Sequence, residues 1–419
     1  MNSDTDLLKA RDERHAVLRA LLAQTPVILQ VTAITPGPNK RTREATLIGR
    51  VFVHLLKTWL GPALETHHSQ AGTATFFASD RPASALKRLT CFLEENHPLG
   101  RLVDLDVYTP SGPLKRHHDE ARRCLICDDV AHACARSRRH LLSDLETVIT
   151  ETLRHYFVEA MASASVEALR KEVHFTPKLA LVGPSPSPVH PDMTLTHFLA
   201  SAESLRPYFK QCIEAGFSAT PDPDRLIFAG QQAEEDMRFV TGNVNTHKGA
   251  IFLFGVVLPY VMQAIWKAQP LEQVQTDIAR YGQKRLRRDW HQVHASSTDT
   301  AGLNAYKRYG ITGIRGEVAE GLPSLFAAYP NRAWPTSRKF ATIVSRLDDT
   351  TVIKRQGLKT MRALQRDMGS LIEGPVFSEV AYEQLSEHYR TRGVSPGGAA
   401  DVLACLFFFE SIDHLISKP

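Results

Sequence analysis

The chain has 419 residues, 43% of them hydrophobic and 23% charged, and a net charge of +5. That is the make-up of an ordinary soluble protein with room for two or three hydrophobic cores, and two domains are expected. A charge so mild suits anionic small molecules such as nucleotides and gives no ground for expecting nucleic acid as a partner.

Six cysteines, three of them crowded between residues 124 and 134, make a poor disulfide framework for this length, so a reducing cytoplasm is expected. The N-terminal stretch "MNSDTDLLKARDERHAVLRALL" mixes acidic and basic residues and lacks a signal-type apolar core. Up to about residue 145, β-prone runs ("TPVILQVTAIT", "TATFFAS") mix with helical patterns ("LIGRVFVHLLKTWL", "ASALKRLTCFLEE"). These predict an α+β domain over residues 1–145. From there almost every pattern is helical, which predicts an all-α domain over residues 146–419. The joining helix is "SDLETVITETLRHYFVEAMA", with Ser143 and Glu146 spaced as a capping box. A Pro/Ser-rich loop, "VGPSPSPVHPDM", lies inside the second half and reads as an active-site or surface loop. The most apolar run, "GAIFLFGVVLPYVMQAIW" from Gly249, contains Pro259 and Gln263 and reads as a buried helix, so no membrane is expected. No internal repeat is visible.

In the first half, "HPLGRLVDLDVYTP" sets Asp104 and Asp106 two apart on a predicted strand end, where both carboxylates share a face and can hold one Mg²⁺ against phosphate oxygens. That is nucleotidyl-transfer geometry, and the expected domain is nucleotidyltransferase-like; a solvated acidic pair on an edge strand is the plainer reading. Lys40, in the turn "TPGPNK", and Arg101 could supply cations for a triphosphate. Further on, Cys124, Cys127, Cys134 and His140 form C-x2-C-x6-C-x5-H, enough soft ligands to close a structural Zn²⁺ site. A redox pair fits less well, and three small buried hydrophobes holding a helix remain the alternative. The arginines around them, Arg122, Arg123, Arg136, Arg138 and Arg139, suit an acidic partner.

In the second half polar groups gather at four places. They are Lys178, His190 and Asp192; Glu234 with Asn245, Thr246, His247 and Lys248; Arg315 and Glu317 between glycines; and Asp349, Arg355 and Asp401. "NTHKG" alone reads as a helix start capped by Asn245 or Thr246. Acids, cations and glycines at several helix starts fit a triphosphate with Mg²⁺.

The stretches "TPGPNK", "ENHPLGRLVDLDVYTP" and "RRCLICDDVAHACARSRRH" resemble the transferase that attaches the phosphoribosyl-dephospho-CoA group to the apo acyl-carrier subunit of citrate lyase. The resemblance covers most of residues 12–145 and departs at Gly72, which lacks that family's acidic neighbour. "NVNTHKGAIF", "YGITGIRGEVAEG" and "SPGGAADVLA" resemble triphosphoribosyl-dephospho-CoA synthase over roughly residues 150–415. Here Ala180 and Gly183 replace a glycine and an acid, and Thr351 and Gln356 replace an asparagine and a glycine. The second resemblance implies an all-helical enzyme joining ATP to 3'-dephospho-CoA with loss of adenine. Under it Lys178, Asn245, Thr246, Lys248, Arg315 and Arg355 bind substrate phosphates. Glu234, Glu317, Asp349 and Asp401 are candidates for base or Mg²⁺ ligand, with Asp192 a further candidate ligand. His247 either protonates the departing adenine or is structural. Three other readings stay open: an active N-terminal half alone, service to malonate decarboxylase, and a zinc-dependent nucleic-acid-binding regulator.

Overall fold

The stretches "ILQVTA", "GTATFFA" and "VDLDVYT" put an apolar or β-branched residue at nearly every second position, and each forms a strand. A computed structural model describes residues 3–116, 122–127, 129–292, 301–374 and 376–416. They divide into two compact units, 1–157 and 158–419.

The first unit is built on an antiparallel sheet of order β2-β3-β1-β4-β5, with β1 (Ile28–Ala33), β2 (Glu65–Ser69), β3 (Gly72–Ala78), β4 (Val103–Thr109) and β5 (Gly112–Pro113). Helices α1 (Ser3–Leu22), α2 (Arg43–Leu60) and α3 (Ala83–Asn96) accompany it, followed by the short α4 (Ala131–Ser137). The four sequence stretches read as strands and helices fall on β1, β3, α2 and α3. Val103, Leu105 and Val107 of β4 are fully buried or nearly so, which turns Asp104, Asp106 and Tyr108 to the opposite face. Leu18 of α1 covers the Ile28 and Tyr108 end of that face.

The boundary between units falls inside the long helix α5 (Leu142–His174). Ser143 lies in its first turn with its hydroxyl on Asp144, so the expected capping box with Glu146 does not form. The second unit continues through α6 (Leu195–Ser204), α7 (Arg206–Ala215), α8 (Ile227–Val240), α9 (Lys248–Lys267), α10 (Leu271–Gln292), α11 (Ala301–Tyr309) and α12 (Ile314–Ala319). It ends with α13 (Pro323–Ala328), α14 (Thr336–Arg346), α15 (Thr350–Gln356), α16 (Leu358–Glu373), α17 (Glu379–Thr391), α18 (Gly397–Ser411) and α19 (Asp413–Ile416). Among the described residues α9 is the one helix long and apolar enough to cross a membrane, but 83% of that stretch is buried, so it is the core of the unit. Phe254 of α9 meets Phe209 of α7 and Phe408 of α18, which fixes the three helices together.

Candidate active sites in the two units

Asp104 and Asp106 lie within β4 rather than at its end, opposite Thr32 and Gln30 of β1. β5 pairs only with Tyr108 and Thr109, so most of the outer edge of β4 has no strand beside it. Side chains satisfy that edge instead: Leu105 N–H donates to Glu94 (2.7 Å), Lys87 Nζ donates to the Leu105 carbonyl (3.3 Å), and Arg122 donates to the Val103 carbonyl (2.9 Å). Arg122 also binds Asp104 (2.5 Å) and Glu94 (2.7 Å). Burial pushes the Asp104 carboxyl up from its ordinary value against the pull of Arg122, and burial does the same to Asp106 against Lys87. Two crowded, partly buried carboxylates of this kind gain from a divalent cation.

The expected cations sit differently. Lys40 donates to the Thr35 carbonyl within its own turn, and burial followed by Arg11 lowers its pKa. Arg101 reaches the carbonyls of Arg123 (2.8 Å) and Cys124. Arg122, read from sequence as facing an acidic partner, is committed to the carboxylates of its own domain. Glu94 and Lys87 escaped sequence reading because on an amphipathic helix they look like ordinary polar positions.

Cys124, Cys127, Cys134 and His140 come together, with one donor atom from each within 4.8 Å of the others. A short hairpin makes this possible: Arg123 bridges Val130, and Cys124 N–H donates to the Asp129 carbonyl (2.7 Å). Helix α4 then brings Cys134 back, 4.0 Å from the Cys127 sulfur, and His140 Nε2 lies 3.2 Å from the same sulfur. Ligands about 2.3 Å from a tetrahedral zinc are separated by roughly 3.8 Å, so the donor set fits that ion. Burial pushes the Cys124 thiol up, but the amides of Ile126 and Cys127 and the neighbouring thiols outweigh it and bring it down to about 6.

In the second unit a cavity of about 860 Å³ opens among α5, α8, α9, α15 and α18. Four carboxylates line it, Glu172, Glu234, Asp349 and Asp401, beside six cations, Arg238, Lys248, Arg285, Arg315, Lys354 and Arg355. Asn245, Thr246 and His190 line it too, so the Pro/Ser-rich loop, which carries His190, borders the cavity. His190 contacts Ser395 Oγ (2.9 Å) and the Arg355 guanidinium (3.3 Å). Lys248 Nζ is paired with Glu234 (2.8 Å), and Arg315 stands 5.7 Å from the Phe252 ring.

Asp401 approaches so close to the start of α9 that a Cβ at Gly249 would lie 1.9 Å from its carboxylate, which is why only glycine serves there. Its pKa is raised well above the ordinary range by burial and then by Glu172 and Asp349, against a bond from Ala250 N–H. Asp349 caps α15, with Oδ1 accepting from Thr351 N–H (2.9 Å), Thr351 Oγ1 (2.5 Å) and Val352 N–H (3.4 Å), while Oδ2 accepts from Ala399 N–H (3.0 Å). Only Oδ2 keeps a lone pair to spare. Among the described residues only the Cys/His set brings three or more ligand atoms together, so no three of these acids converge in the same way.

Three expected site residues lie elsewhere. Lys178 does not line the cavity; it is buried, with its Nζ 2.7 Å from Glu172. Glu317 is buried against Ser324, accepting from its N–H and hydroxyl (2.8 Å each), and so anchors the start of α13. Asp192 is exposed and outside the lining. Glu172, which sequence reading missed, is a further carboxylate of the lining; on a long helix its position carried no local signal. Two departures from the family pattern have local partners. Thr351 bonds Asp349 and accepts from Gly397 N–H (2.9 Å), and Gln356 donates to the Arg392 carbonyl (3.2 Å).

His247, not Asn245 or Thr246, is the residue preceding α9. Thr246 Oγ1 donates to Ser201 Oγ (2.7 Å), which leaves the Ser201 proton for His247 Nδ1 (2.7 Å). That chain places the imidazole proton on Nε2, which is buried without a partner and belongs to a residue lining the cavity. Burial, then Lys178, lowers the His247 pKa to about 3 from an ordinary 6.5. So low a pKa favours the neutral ring at physiological pH. A pKa depressed in the fold gives stability that is full above about 6.5 and is lost as pH falls toward 3. The drop in melting temperature between about pH 7 and pH 4 should be shallower in His247→Asn than in wild type. Equal slopes would show an imidazole that titrates normally.

A sheet bearing paired aspartates and a helical unit whose cavity is rich in cations define a two-part transferase of nucleotide-derived groups. The chain belongs to the family described as ATP:dephospho-CoA triphosphoribosyl transferase over residues 158–419, joined to that of apo-citrate lyase phosphoribosyl-dephospho-CoA transferase over residues 3–156. It is 30% identical to Protein CitXG of Haemophilus influenzae, over 97% of this chain and 95% of that one, and 28% identical to Protein CitXG of Leuconostoc mesenteroides subsp. cremoris over 96% and 95%. It is also 31% identical to 2-(5''-triphosphoribosyl)-3'-dephosphocoenzyme-A synthase of Haemophilus ducreyi, over 68% of this chain and 99% of that one. The protein is a bifunctional transferase of citrate lyase prosthetic-group synthesis and attachment.

Proposed function

We propose that the helical unit joins ATP to 3'-dephospho-CoA, releasing adenine, and that the nucleotidyltransferase-like first unit then loads the product onto a serine of the apo acyl-carrier subunit of citrate lyase, releasing pyrophosphate. The observation that carries this reading is the cavity with six cations beside buried carboxylates, a lining suited to a triphosphate and a sugar. In the first reaction the 2'-hydroxyl of dephospho-CoA attacks C1' of the ATP ribose. The new O–C1' bond forms as the bond to adenine breaks, through a state with positive charge on the sugar. Glu234, which lines the cavity, takes the hydroxyl proton, the departing adenine takes a proton from solvent in the open cavity, and Lys248, Arg315 and Arg355 hold the triphosphate. His247 Nε2–H donates to a phosphate oxygen.

Glu172 and Asp401 would hold Mg²⁺ in this unit, with substrate phosphates completing its shell; Asp104 and Asp106 would hold it in the first. Bound there, the ion supplies charge neutralisation at the phosphates. Cys124, Cys127, Cys134 and His140 would hold a structural Zn²⁺. Six free thiols fit the reducing cytoplasm as the place of action.

Mass spectrometry of a mixture with ATP, Mg²⁺ and dephospho-CoA should find adenine and the triphosphoribosyl product, and added apo carrier should gain the group. Loading from supplied product without adenine release would leave only the first unit active. Equal loading of a malonate decarboxylase carrier would widen the assignment, and a salt-dependent DNA shift without adenine release would favour a regulator.

A further inference from the structure

The hairpin that carries Cys124 and Cys127 is tied to the acidic strand at two points. Arg101, just before β4, donates to the carbonyls of Arg123 and Cys124. Arg122, two residues ahead of Cys124, lays its guanidinium on Asp104 (2.5 Å), Glu94 (2.7 Å) and the Val103 carbonyl (2.9 Å), while its own carbonyl accepts from Ala131 N–H (2.7 Å) at the start of α4. The backbone of Arg122 is therefore held by the same hairpin and helix that gather the four ligand side chains.

We propose that metal bound by Cys124, Cys127, Cys134 and His140 acts as a clasp for the loading site, holding Arg122 as the fixed counter-ion of Asp104 and Glu94. The inference rests on the zinc reading above and adds a role for it. Without the clasp the hairpin keeps its few backbone bonds, the Arg101 contacts and the exposed Arg139–Asp129 pair, none of which fixes α4, and at seven residues α4 is too short to stand alone. Arg122 would then lose its alignment, leaving Asp104 without its cation and buried Glu94 with Arg116 as its remaining partner, beside two aspartates. Arg122 is a positioning residue here. It keeps the acidic cluster compact, and it competes with a divalent cation for Asp104.

The test uses the full chain, with zinc counted by elemental analysis, loading measured from supplied triphosphoribosyl-dephospho-CoA, and adenine release as the control for the other unit. Mn²⁺ affinity is read by calorimetry, with Asp104→Asn/Asp106→Asn protein as the blank. Wild type should hold about one zinc per chain. Cys127→Ser should lose it, and Arg122→Ala should keep it. Both should lose loading kcat by about tenfold or more with KM within about twofold, and both should bind Mn²⁺ several-fold more tightly at the aspartates, with adenine release unchanged. Should Cys127→Ser fail to fold, Arg122→Ala, which keeps all four ligands, carries the test through its Mn²⁺ affinity and its kcat. Zinc-free wild type would overturn the zinc reading and the clasp together. Zinc-loaded wild type with Arg122→Ala at wild-type kcat and Mn²⁺ affinity would overturn the clasp alone.

Discussion

Replacing Asp104 or Asp106 with Asn should lower carrier loading by a factor on the order of 10² or more and leave adenine release at its wild-type rate. The two carboxylates share one face of β4, and burial already disfavours their charged forms. An amide of the same shape keeps the strand's alternation and removes a charge that folding does not favour, so the melting temperature should hold or rise slightly. What the amide cannot do is gather a divalent cation against phosphate oxygens. The second unit has its own cavity and its own acids, so its reaction is a built-in control for misfolding. Loading at the wild-type rate in either variant would remove that aspartate from the site, and a fall in adenine release would show that the two reactions are not separable.

Much of this was legible because the chemistry sits in short local patterns. Alternation in "VDLDVYT" placed Asp104 and Asp106 on one face, and the Cys/His spacing predicted a cluster whose donor atoms do converge. Illegible were the partners brought in from elsewhere in the chain. Glu94 and Lys87 belong to a helix that flanks β4, and Glu172 to the far end of a 33-residue helix. No spacing rule links them to the residues they serve, since only packing decides which polar position on a helix faces a bare strand edge or a cavity. The same blindness misplaced Lys178 and Glu317. Glu317 stands in a stretch that carries the family resemblance and Lys178 in one where the chain departs from it, yet one anchors α13 and the other neutralises Glu172. Motif reading finds residues that matter and does not distinguish contact with substrate from support of the wall behind it.

In the helical unit, Lys248→Ala and Arg315→Ala should each lower kcat/KM for adenine release by about 10- to 100-fold, the cost of one charge-assisted contact in a site partly closed to water. Carrier loading from supplied triphosphoribosyl-dephospho-CoA should survive in both. Lys248 is held toward the cavity by Glu234, and Arg315 enters it from the first turn of α12. Gly183 gives this site a second handle. A Cβ there would meet the Val173 carbonyl at 3.5 Å, Lys178 Cε at 3.7 Å and the Phe175 carbonyl at 4.0 Å, all ordinary contacts, so a side chain can start from this position. The carboxylate of an aspartate there would stand beside the ammonium that now neutralises Glu172, and would share that ammonium. Glu172, which lines the cavity where Lys178 does not, would then be freer to bind Mg²⁺. Gly183→Asp should therefore raise adenine release and lower the Mg²⁺ concentration needed for half-maximal rate. Unchanged Mg²⁺ dependence with unchanged or lower activity would mean that Lys178 never limits Glu172, and that the cation is held by Asp401 and the phosphates alone.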